Sequence, residues 1–160
     1  MAILSTGKEM RKFDTGAVRD SVEGKGRCDL LPHAVLGNIL DDNFLRCVGE
    51  YVYTGDQQYI EVAIDLFVQK SFPDWNTALL EVAKHYEEGS NKYEDRNFEK
   101  GMPLHCFVDS GIRHYLKFLR GDKDESHDRA VLWNLLNLLW MQKHHPEMND
   151  LPFANKTILN

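Results

Sequence analysis

The feature that most constrains the fold of this chain is the recurrence of apolar residues every three or four positions, which is the period of an amphipathic helix. The clearest stripe consists of Tyr59, Ile60, Ala63, Ile64, Phe67 and Val68. The same period predicts helices over residues 33–53, 75–93, 103–119 and 125–143. No segment combines strand alternation with hairpin turns. The sequence therefore predicts an all-α bundle of four to five helices.

Length and composition favour one domain. The chain has 160 residues, of which 42% are hydrophobic and 28% are charged, and a chain of this size can bury roughly two-thirds of its unfolded surface. We predict a single domain over residues 1–160, divided into an arm (1–30), a helical core (31–143) and a tail (144–160). The arm is rich in glycine and charge and has no sustained periodicity.

Charge, cysteine and hydropathy patterns exclude several classes of protein. A net charge of −6 argues against nucleic-acid binding, because phosphate backbones are held by basic surfaces. The three cysteines form neither a CxxC pair nor a dense disulfide pattern, which favours a reducing cytosol. No uncharged apolar run approaches the roughly 20 residues that span a bilayer, and no signal-peptide core is present. We expect a cytoplasmic protein without a membrane or nucleic-acid partner.

Two adjacent glutamates on the helix predicted over 75–93 raise the first question of chemistry. A step of about 100° per residue places Glu87 and Glu88 on different faces. Glu88 shares its face with charged residues and is expected in solvent, whereas Glu87 shares its face with Leu80 and Ala83 and is expected to point inward. An inward charge is costly unless it is paired or bound to a cation. The sequence therefore leaves two roles for Glu87, as a member of a buried salt bridge or as a metal ligand.

Further acidic and polar residues lie on the next two helices. Asp109 is at the edge of an apolar stripe, where an (i, i+4) pair with Arg113 is the simplest explanation. An acidic cluster follows, formed by Asp122, Asp124, Glu125, His127 and Asp128. Helix capping explains any one of these five. Asn134 shares the apolar face of His127, so this pair needs partners inside the bundle, in a structural network or in a substrate-reading role.

Cations suited to phosphate lie near these acids in the sequence. They are Lys92, Lys100 and Arg113, with Lys25 and Arg27 from the arm. The segment around Lys25 is not a P-loop, because it lacks the GK[ST] ending and a preceding strand, but it could still fold over a phosphate. Hard cations such as Mg²⁺ take carboxylate oxygens and are often held jointly with substrate phosphates. The residues alone therefore predict an acidic, phosphate-compatible helical site.

Four segments resemble the signature blocks of a known family. They are GAVRDSVEGKGRCDLLP, YEEGSNKYEDRNFEKGMPL, DSGIRHYLKFLRGDKDESH and WNLL, in this order. They look like the blocks of the phage-associated dATP/dGTP diphosphohydrolase family, related to the all-α, MazG-like NTP pyrophosphatases. The resemblance implies a hydrolase in the cytoplasm, or the host cytoplasm if phage-encoded, that acts on a deoxynucleoside triphosphate with Mg²⁺ or Mn²⁺. We also expect a homo-oligomer.

The resemblance implies residue roles by position. Metal ligands would be Glu87, Asp109, Asp124 and Glu125, and catalytic residues would be Glu87, Asp109, Glu125 and His127. Substrate contacts would come from Lys92, Asn97, Lys100, Arg113, His114 and Asn134, to which Lys25 and Arg27 of the arm are added. The sequence departs from the family pattern in three places: Phe98 stands for an expected Trp, Ser126 for an expected acid, and about 47–77 looks inserted. The MazG arrangement, an ExxE pair on one helix followed by an ExxD pair on the next, is not found in the signature region.

The leading hypothesis is attack of a metal-activated water on the α-phosphorus, which releases a monophosphate and pyrophosphate. Lys92, Lys100 and Arg113 would stabilise the developing charge. A rival reading takes His127-Asp128 as the dipeptide of an HD-type phosphohydrolase that releases whole triphosphate. A third hypothesis is a non-catalytic interaction module that uses the apolar stripe of 59–68, which a core or homodimer contact would explain as well. The purine preference rests on the resemblance alone.

Overall fold

A computed structural model describes residues 10–158, with side chains through residue 155. A short hairpin pairs β1 (Arg11–Lys12) with β2 (Val18–Arg19). Helices follow as α1 (His33–Leu40), α2 (Asn43–Thr54), α3 (Gln57–Ser71), α4 (Trp75–Lys92), α5 (Leu104–Arg120) and α6 (His127–His144). Short 3-10 turns lie at Cys28–Leu30, Asn97–Lys100, Pro146–Met148 and Pro152–Ile158. The predicted all-α bundle is confirmed, with the hairpin as a small addition that the sequence did not predict.

The single helix predicted over residues 33–53 is two helices in the structure, so that prediction is wrong. Asp41 adopts a left-handed conformation with φ 51°, which ends α1 because an L-residue there cannot continue a right-handed helix. Asp42 then starts α2. Its carboxylate accepts hydrogen bonds from Leu45 N at 2.9 Å and from the Tyr115 hydroxyl at 2.6 Å. A helix cap and a tie to α5 therefore fix the break.

The break leaves part of α1 in solvent. Its apolar side chains Val35, Ile39 and Leu40 are 55%, 72% and 61% exposed. At the same time α1 crosses α2 closely, because a Cβ added at Gly49 would lie 2.4 Å from Ala34 N. Only glycine permits this approach of the two backbones. The expected homo-oligomer stays a prediction, for which the exposed face of α1 offers an apolar surface.

The other helix boundaries follow the signals in the sequence. Asp56 and Asp74 cap α3 and α4 by accepting hydrogen bonds from main-chain N–H groups at 3.0 and 2.7 Å. Gly55 and Gly121 end α2 and α5 with φ 71° and 87°, a conformation that glycine adopts at little cost. These caps explain why the ends of the predicted helices after α2 lie within a few residues of the observed ones.

The core lies between α2, α3, α5 and α6. The largest fully buried side chains are Tyr51, Phe67, Phe107, Leu45, Ile60, Met102, Leu104, Ile112, Leu132, Leu135, Leu138 and Met141. The stripe of α3 belongs to this core, so the core explanation of that stripe is confirmed and it offers no docking face. Phe44 stacks on Tyr115 with ring centroids 3.9 Å apart. Among the described residues, no helix is long and apolar enough to cross a membrane.

The predicted orientation of α4 is wrong. Its buried face carries Ala78 and Val82, and Tyr86 on the same side donates a hydrogen bond to Asn137 of α6 at 2.6 Å. Leu80, on the face predicted to point inward, is 71% exposed. The sequence of α4 offers two apolar faces, and packing against α6 selects the other one. The carboxylate of Glu87 is consequently exposed, as is its neighbour.

The described part of the arm folds back across α4, α5 and α6. Residues 1–9 of the predicted arm and 159–160 of the predicted tail lie outside the described residues. The hairpin turn is made by Gly16, with φ 93°. The Cys28–Leu30 turn packs on α5, where Asp109 accepts a hydrogen bond from Cys28 N at 2.7 Å. The arm therefore forms one wall of the site described next.

Candidate functional site

A cavity of about 510 Å³ lies between the arm, α4, the Asn97–Lys100 turn, α5 and α6. The arm covers it from one side, and α5 and α6 form the opposite wall. This volume falls within the usual range for sites that bind small molecules, roughly 300–1,000 Å³. The cavity combines three kinds of surface, which are cationic, aromatic and histidine-containing.

The cationic surface carries more positive than negative side chains, although the whole chain carries a net charge of −6. Its basic residues are Arg11, Arg19, Lys25, Arg96, Arg113 and Lys117, and its acidic residues are Asp20, Glu94, Asp95 and Glu125. Residues of both signs have partners, for example Asp20 with Lys92 and Arg113 with Asp109. A cavity of this kind attracts an anion locally even though the whole chain carries a net negative charge.

The aromatic surface is built from side chains of α4, the Asn97–Lys100 turn and α6. Tyr86, Phe98 and Trp133 line the cavity, with ring centroids 5.6 to 6.0 Å apart. Phe98, which departs from the family pattern, thus keeps an aromatic ring in the wall. Trp140 packs against Phe98 with ring centroids 5.8 Å apart and does not line the cavity, whereas Trp133 does.

Arg19 was missed by the sequence reasoning, although it belongs to the first signature block. Its guanidinium lies over the rings of Phe107 and Trp133, at 5.1 and 5.4 Å from their centroids. It donates a hydrogen bond to Asn134 Oδ1 at 3.0 Å, and Asn134 Nδ2 donates to Ala130 O at 2.8 Å. Asn134 therefore has the partners inside the bundle that its apolar setting required.

A histidine and carboxylate cluster lies where α5 meets the start of α6. The Nδ1 atoms of His114 and His127 are 2.9 Å apart, and Glu125 Oε1 is 3.6 Å from His114 Nδ1. On its other side, His127 Nε2 is 2.7 Å from Asp124 Oδ1. Burial and the neighbouring His127 lower the pKa of His114 to about 3, so this imidazole is neutral at physiological pH. The hydrogen bond from His127 also lowers the pKa of Asp124.

The contact with Asp124 places a proton on one nitrogen of His127. A carboxylate only accepts, so His127 Nε2 donates the hydrogen bond to Asp124 Oδ1. The Nδ1 atoms of His114 and His127 share a hydrogen bond in the protein alone. A histidine whose second nitrogen donates to a carboxylate is the arrangement found in metal-ligating histidines. The donor atoms of His114, Glu125 and His127 lie within 4.8 Å of one another, so the residues fit a divalent cation.

The four carboxylates expected to hold the metal are not assembled in the structure. Among the described residues, the groupings suited to a metal are His114 with Glu125 and His127, and Asp122 with Asp124 and His127. Glu87 and Asp109 belong to neither. Glu87 is turned away by the phase of α4. Asp109 is 1% exposed and pairs with Arg113 at 2.6 Å, the simple (i, i+4) explanation.

Several residues expected to contact substrate also attach the arm to the helices. Asn97 accepts from Val18 N at 2.9 Å and donates to Val18 O at 2.8 Å. Lys92 pairs with Asp20 at 2.7 Å. Arg113 donates to Gly26 O at 2.6 Å. These contacts hold the covering wall of the cavity in place.

The remaining expected residues are distributed around this region. Lys25 lines the cavity, whereas Arg27 lies outside it and pairs with Asp29 at 2.7 Å. Lys100 pairs with Glu94 at the surface. Asp128 belongs to neither metal grouping, and its Oδ1 accepts from Arg129 N at 2.8 Å. The structure thus brings His127 together with His114 and Asp124 but leaves the HD dipeptide without a shared centre.

A second cavity of about 800 Å³ lies between α1, α2 and the segment after α6. Its charged groups are paired with each other: Arg27 with Asp29 at 2.7 Å, and His105 with Asp150. The hydrogen bond to Asp150, with a second to Cys106, raises the pKa of His105 to about 10. This cavity has no comparable excess of positive charge.

Comparison with known proteins gives one family. A family model described as dATP/dGTP diphosphohydrolase, N-terminal, matches residues 61–151, which is more than half of the chain. The match includes α4, α5, α6 and the histidine cluster, and it leaves the arm outside. No curated protein and no solved structure matches the chain.

Proposed function

The chain belongs to the dATP/dGTP diphosphohydrolase N-terminal family, and on that premise we propose that it hydrolyses a purine deoxynucleoside triphosphate to the monophosphate and pyrophosphate. The reaction would take place in the cavity under the arm. The observation that carries the proposal is the joint presence, around one cavity of about 510 Å³, of excess cations, aromatic rings and the histidine cluster. Each of these suits one part of a nucleotide.

Different residues of the cavity would contact the phosphates and the base of the nucleotide. Arg113 and Lys117 on α5 and Lys25 on the arm provide positive charge for the phosphates, since fixed cations in a cavity stabilise charge that develops on oxygen. Tyr86 and Trp133 provide flat apolar surface for a purine base. The arm excludes bulk water from this side of the cavity, which strengthens electrostatic interactions inside it.

The histidine cluster is the proposed centre for a divalent ion. His114, Glu125 and His127 would hold Mg²⁺ or Mn²⁺, which would lower the pKa of a bound water and neutralise charge on the phosphates. Asp124 holds the proton of His127 on Nε2 and so keeps the Nδ1 lone pair directed at the cluster. Two imidazole donors favour Mn²⁺ over Mg²⁺, because Mg²⁺ is usually bound by oxygen ligands.

The test is turnover of each dNTP by the pure protein with Mg²⁺ or Mn²⁺, with the products separated by anion exchange. We expect dATP or dGTP to give monophosphate and pyrophosphate, and Glu125→Gln to abolish this. Glu50→Gln, at an exposed position of α2, is the matched control and should match the unaltered protein. Because Glu87 faces solvent, Glu87→Gln should also retain activity.

Product identity separates this proposal from the HD-type alternative. Release of nucleoside and whole triphosphate would favour that alternative. Nucleotide binding without turnover in either metal would favour the non-catalytic module. Loss of activity in Glu87→Gln with full activity in Glu125→Gln would contradict the assignment of the metal centre and restore the carboxylate set expected from the resemblance.

A further inference from the structure

Two arginines stand side by side on the hairpin that covers the cavity. Arg11 of β1 and Arg19 of β2 are cross-strand partners, so their side chains project from the same face. Both side chains line the cavity. Like charges directly opposite each other destabilise a strand pair. The arrangement therefore carries an electrostatic cost in the protein alone.

Neither arginine has a carboxylate partner among the described residues. Arg11 donates to Asp20 O of the main chain at 3.1 Å and to Cys106 Sγ at 3.6 Å. Arg19 donates to Asn134 Oδ1 at 3.0 Å and to Met102 Sδ at 3.8 Å. None of these acceptors is a carboxylate.

Asp20, the acid next to Arg19 in the sequence, does not pair with either arginine. Its carboxylate accepts hydrogen bonds from Lys92 Nζ at 2.7 Å and from the Tyr93 hydroxyl at 2.8 Å. Asp20 lines the same cavity, but its carboxylate is engaged by these two residues. By contrast Arg113, in the opposite wall, is paired with Asp109. Of the described arginines that line the cavity, Arg96 and Arg113 have carboxylate partners, whereas Arg11 and Arg19 have none.

Two further observations concern an unused donor of Arg11 and the cost of the charge on Arg19. Arg11 Nη2 is buried and has no hydrogen-bond partner, although buried polar groups are normally satisfied. Burial lowers the pKa of Arg19 to about 10, and Arg11 adds to this lowering, whereas Cys106 and Asp109 act in the opposite direction. An anion placed between the two guanidiniums would satisfy the free donors and remove the repulsion.

We infer that Arg11 and Arg19 form a receptor for the oligophosphate group of the ligand. The oligophosphate would lie between the hairpin and α6. Two planar guanidiniums match phosphate oxygens, each through paired N–H donors. The inference rests on the proposed function for the identity of the ligand, because the oligophosphate would be that of the nucleotide. It adds two residues that the sequence-based expectation lacked, since that expectation assigned phosphate to Lys92, Lys100 and Arg113, with Lys25 and Arg27 of the arm.

The experiment measures binding of inorganic tripolyphosphate to the full chain in metal-free buffer by isothermal titration calorimetry. Arg11→Gln and Arg19→Lys should each weaken binding by about tenfold or more, since each removes charge-assisted hydrogen bonds. The matched control is Arg27→Gln, an arm arginine outside the cavity that pairs with Asp29. It should bind tripolyphosphate as the unaltered protein does.

Thermal melting separates a receptor from a merely structural pair. Without ligand, Arg11→Gln should melt at the same temperature as the unaltered protein or higher, because the substitution removes repulsion. Its melting temperature should no longer rise when tripolyphosphate is added. Arg19→Lys keeps the charge beside Asn134, so it remains a usable variant even if a neutral residue there does not fold.

The inference is overturned if Arg11→Gln and Arg19→Lys bind tripolyphosphate within about twofold of the unaltered protein, or if Arg27→Gln is weakened equally. Its failure is distinguishable from failure of the proposed function. Tripolyphosphate binding through the pair without any dNTP turnover would sustain the receptor and reject the enzyme. Turnover of a dNTP with an unchanged KM in both variants would support the enzyme and reject the receptor.

Discussion

Replacing Asn97 by alanine should detach the arm without unfolding the helices. Asn97 is 7% exposed, and its amide makes two hydrogen bonds to the main chain of Val18, at 2.9 and 2.8 Å. Each such bond contributes about 1 kcal/mol net, so the closed arm should lose about 2 kcal/mol. This corresponds to a roughly 30-fold larger population of the open arm.

Amide hydrogen exchange measures this population residue by residue. In Asn97→Ala, amides of the arm from 10 to 31 should exchange faster by up to that factor, while the core of α5 and α6 keeps its protection. Asn91→Ala is the matched control, because Asn91 is exposed at the end of α4. The control should leave exchange in the arm unchanged.

Two results would refute the reasoning. Unchanged exchange of the arm would show that Asn97 does not hold it, and a selective loss of nucleotide affinity in that case would support the substrate contact expected from the sequence. Equal acceleration across all helices would show that Asn97 stabilises the whole fold. Arm opening should also weaken ligand binding, since the arm forms one wall of the cavity.

Three further predictions concern stability. Gly49→Ala should lower the free energy of unfolding in urea by about 1–3 kcal/mol, because the added methyl group would lie 2.4 Å from Ala34 N; an unchanged value would contradict the close crossing of α1 and α2. Leu80→Lys should change the free energy of unfolding by less than about 0.5 kcal/mol, since Leu80 is 71% exposed. A large loss would support the inward orientation that the sequence predicted for this face of α4. The pKa of His105 is raised to about 10 by Asp150 and Cys106, so its stabilising effect is complete below the unfolded value of about 6.5 and is lost as pH rises towards 10. His105→Gln should flatten that decline in unfolding free energy measured from pH 6 to 10, and an equal decline in both proteins would reject this assignment.

The sequence by itself determined the helical class and most helix boundaries. Apolar residues at helical spacing predicted α3 directly, and acidic caps and glycines indicated where helices begin and end. These signals are local, because a cap or a turn depends on residues only a few positions apart. The signature blocks likewise placed His114, Glu125 and His127 among the functional candidates.

Tertiary packing decided which side of each helix faces the cavity. On α4 two apolar faces compete, and contact with α6 selects the face of Val82 and Tyr86 over that of Glu87. The break at Asp41 also needed the bond from α5 to the cap of α2. Neither choice is encoded within one helix, because each depends on surfaces that meet only in the folded chain.

The contacts of the arm are the clearest case that local sequence patterns do not predict. Val18 and Asn97 are 79 positions apart, and Arg19 and Asn134 are 115 apart, so no local pattern reports either contact. Helical phase could therefore indicate an acidic, phosphate-compatible site, but it could not show that Asn97 and Asp109 hold the arm. Nor could it show that the hairpin brings two arginines to the cavity. Those assignments arise from long-range contacts that exist only once the arm lies across the bundle.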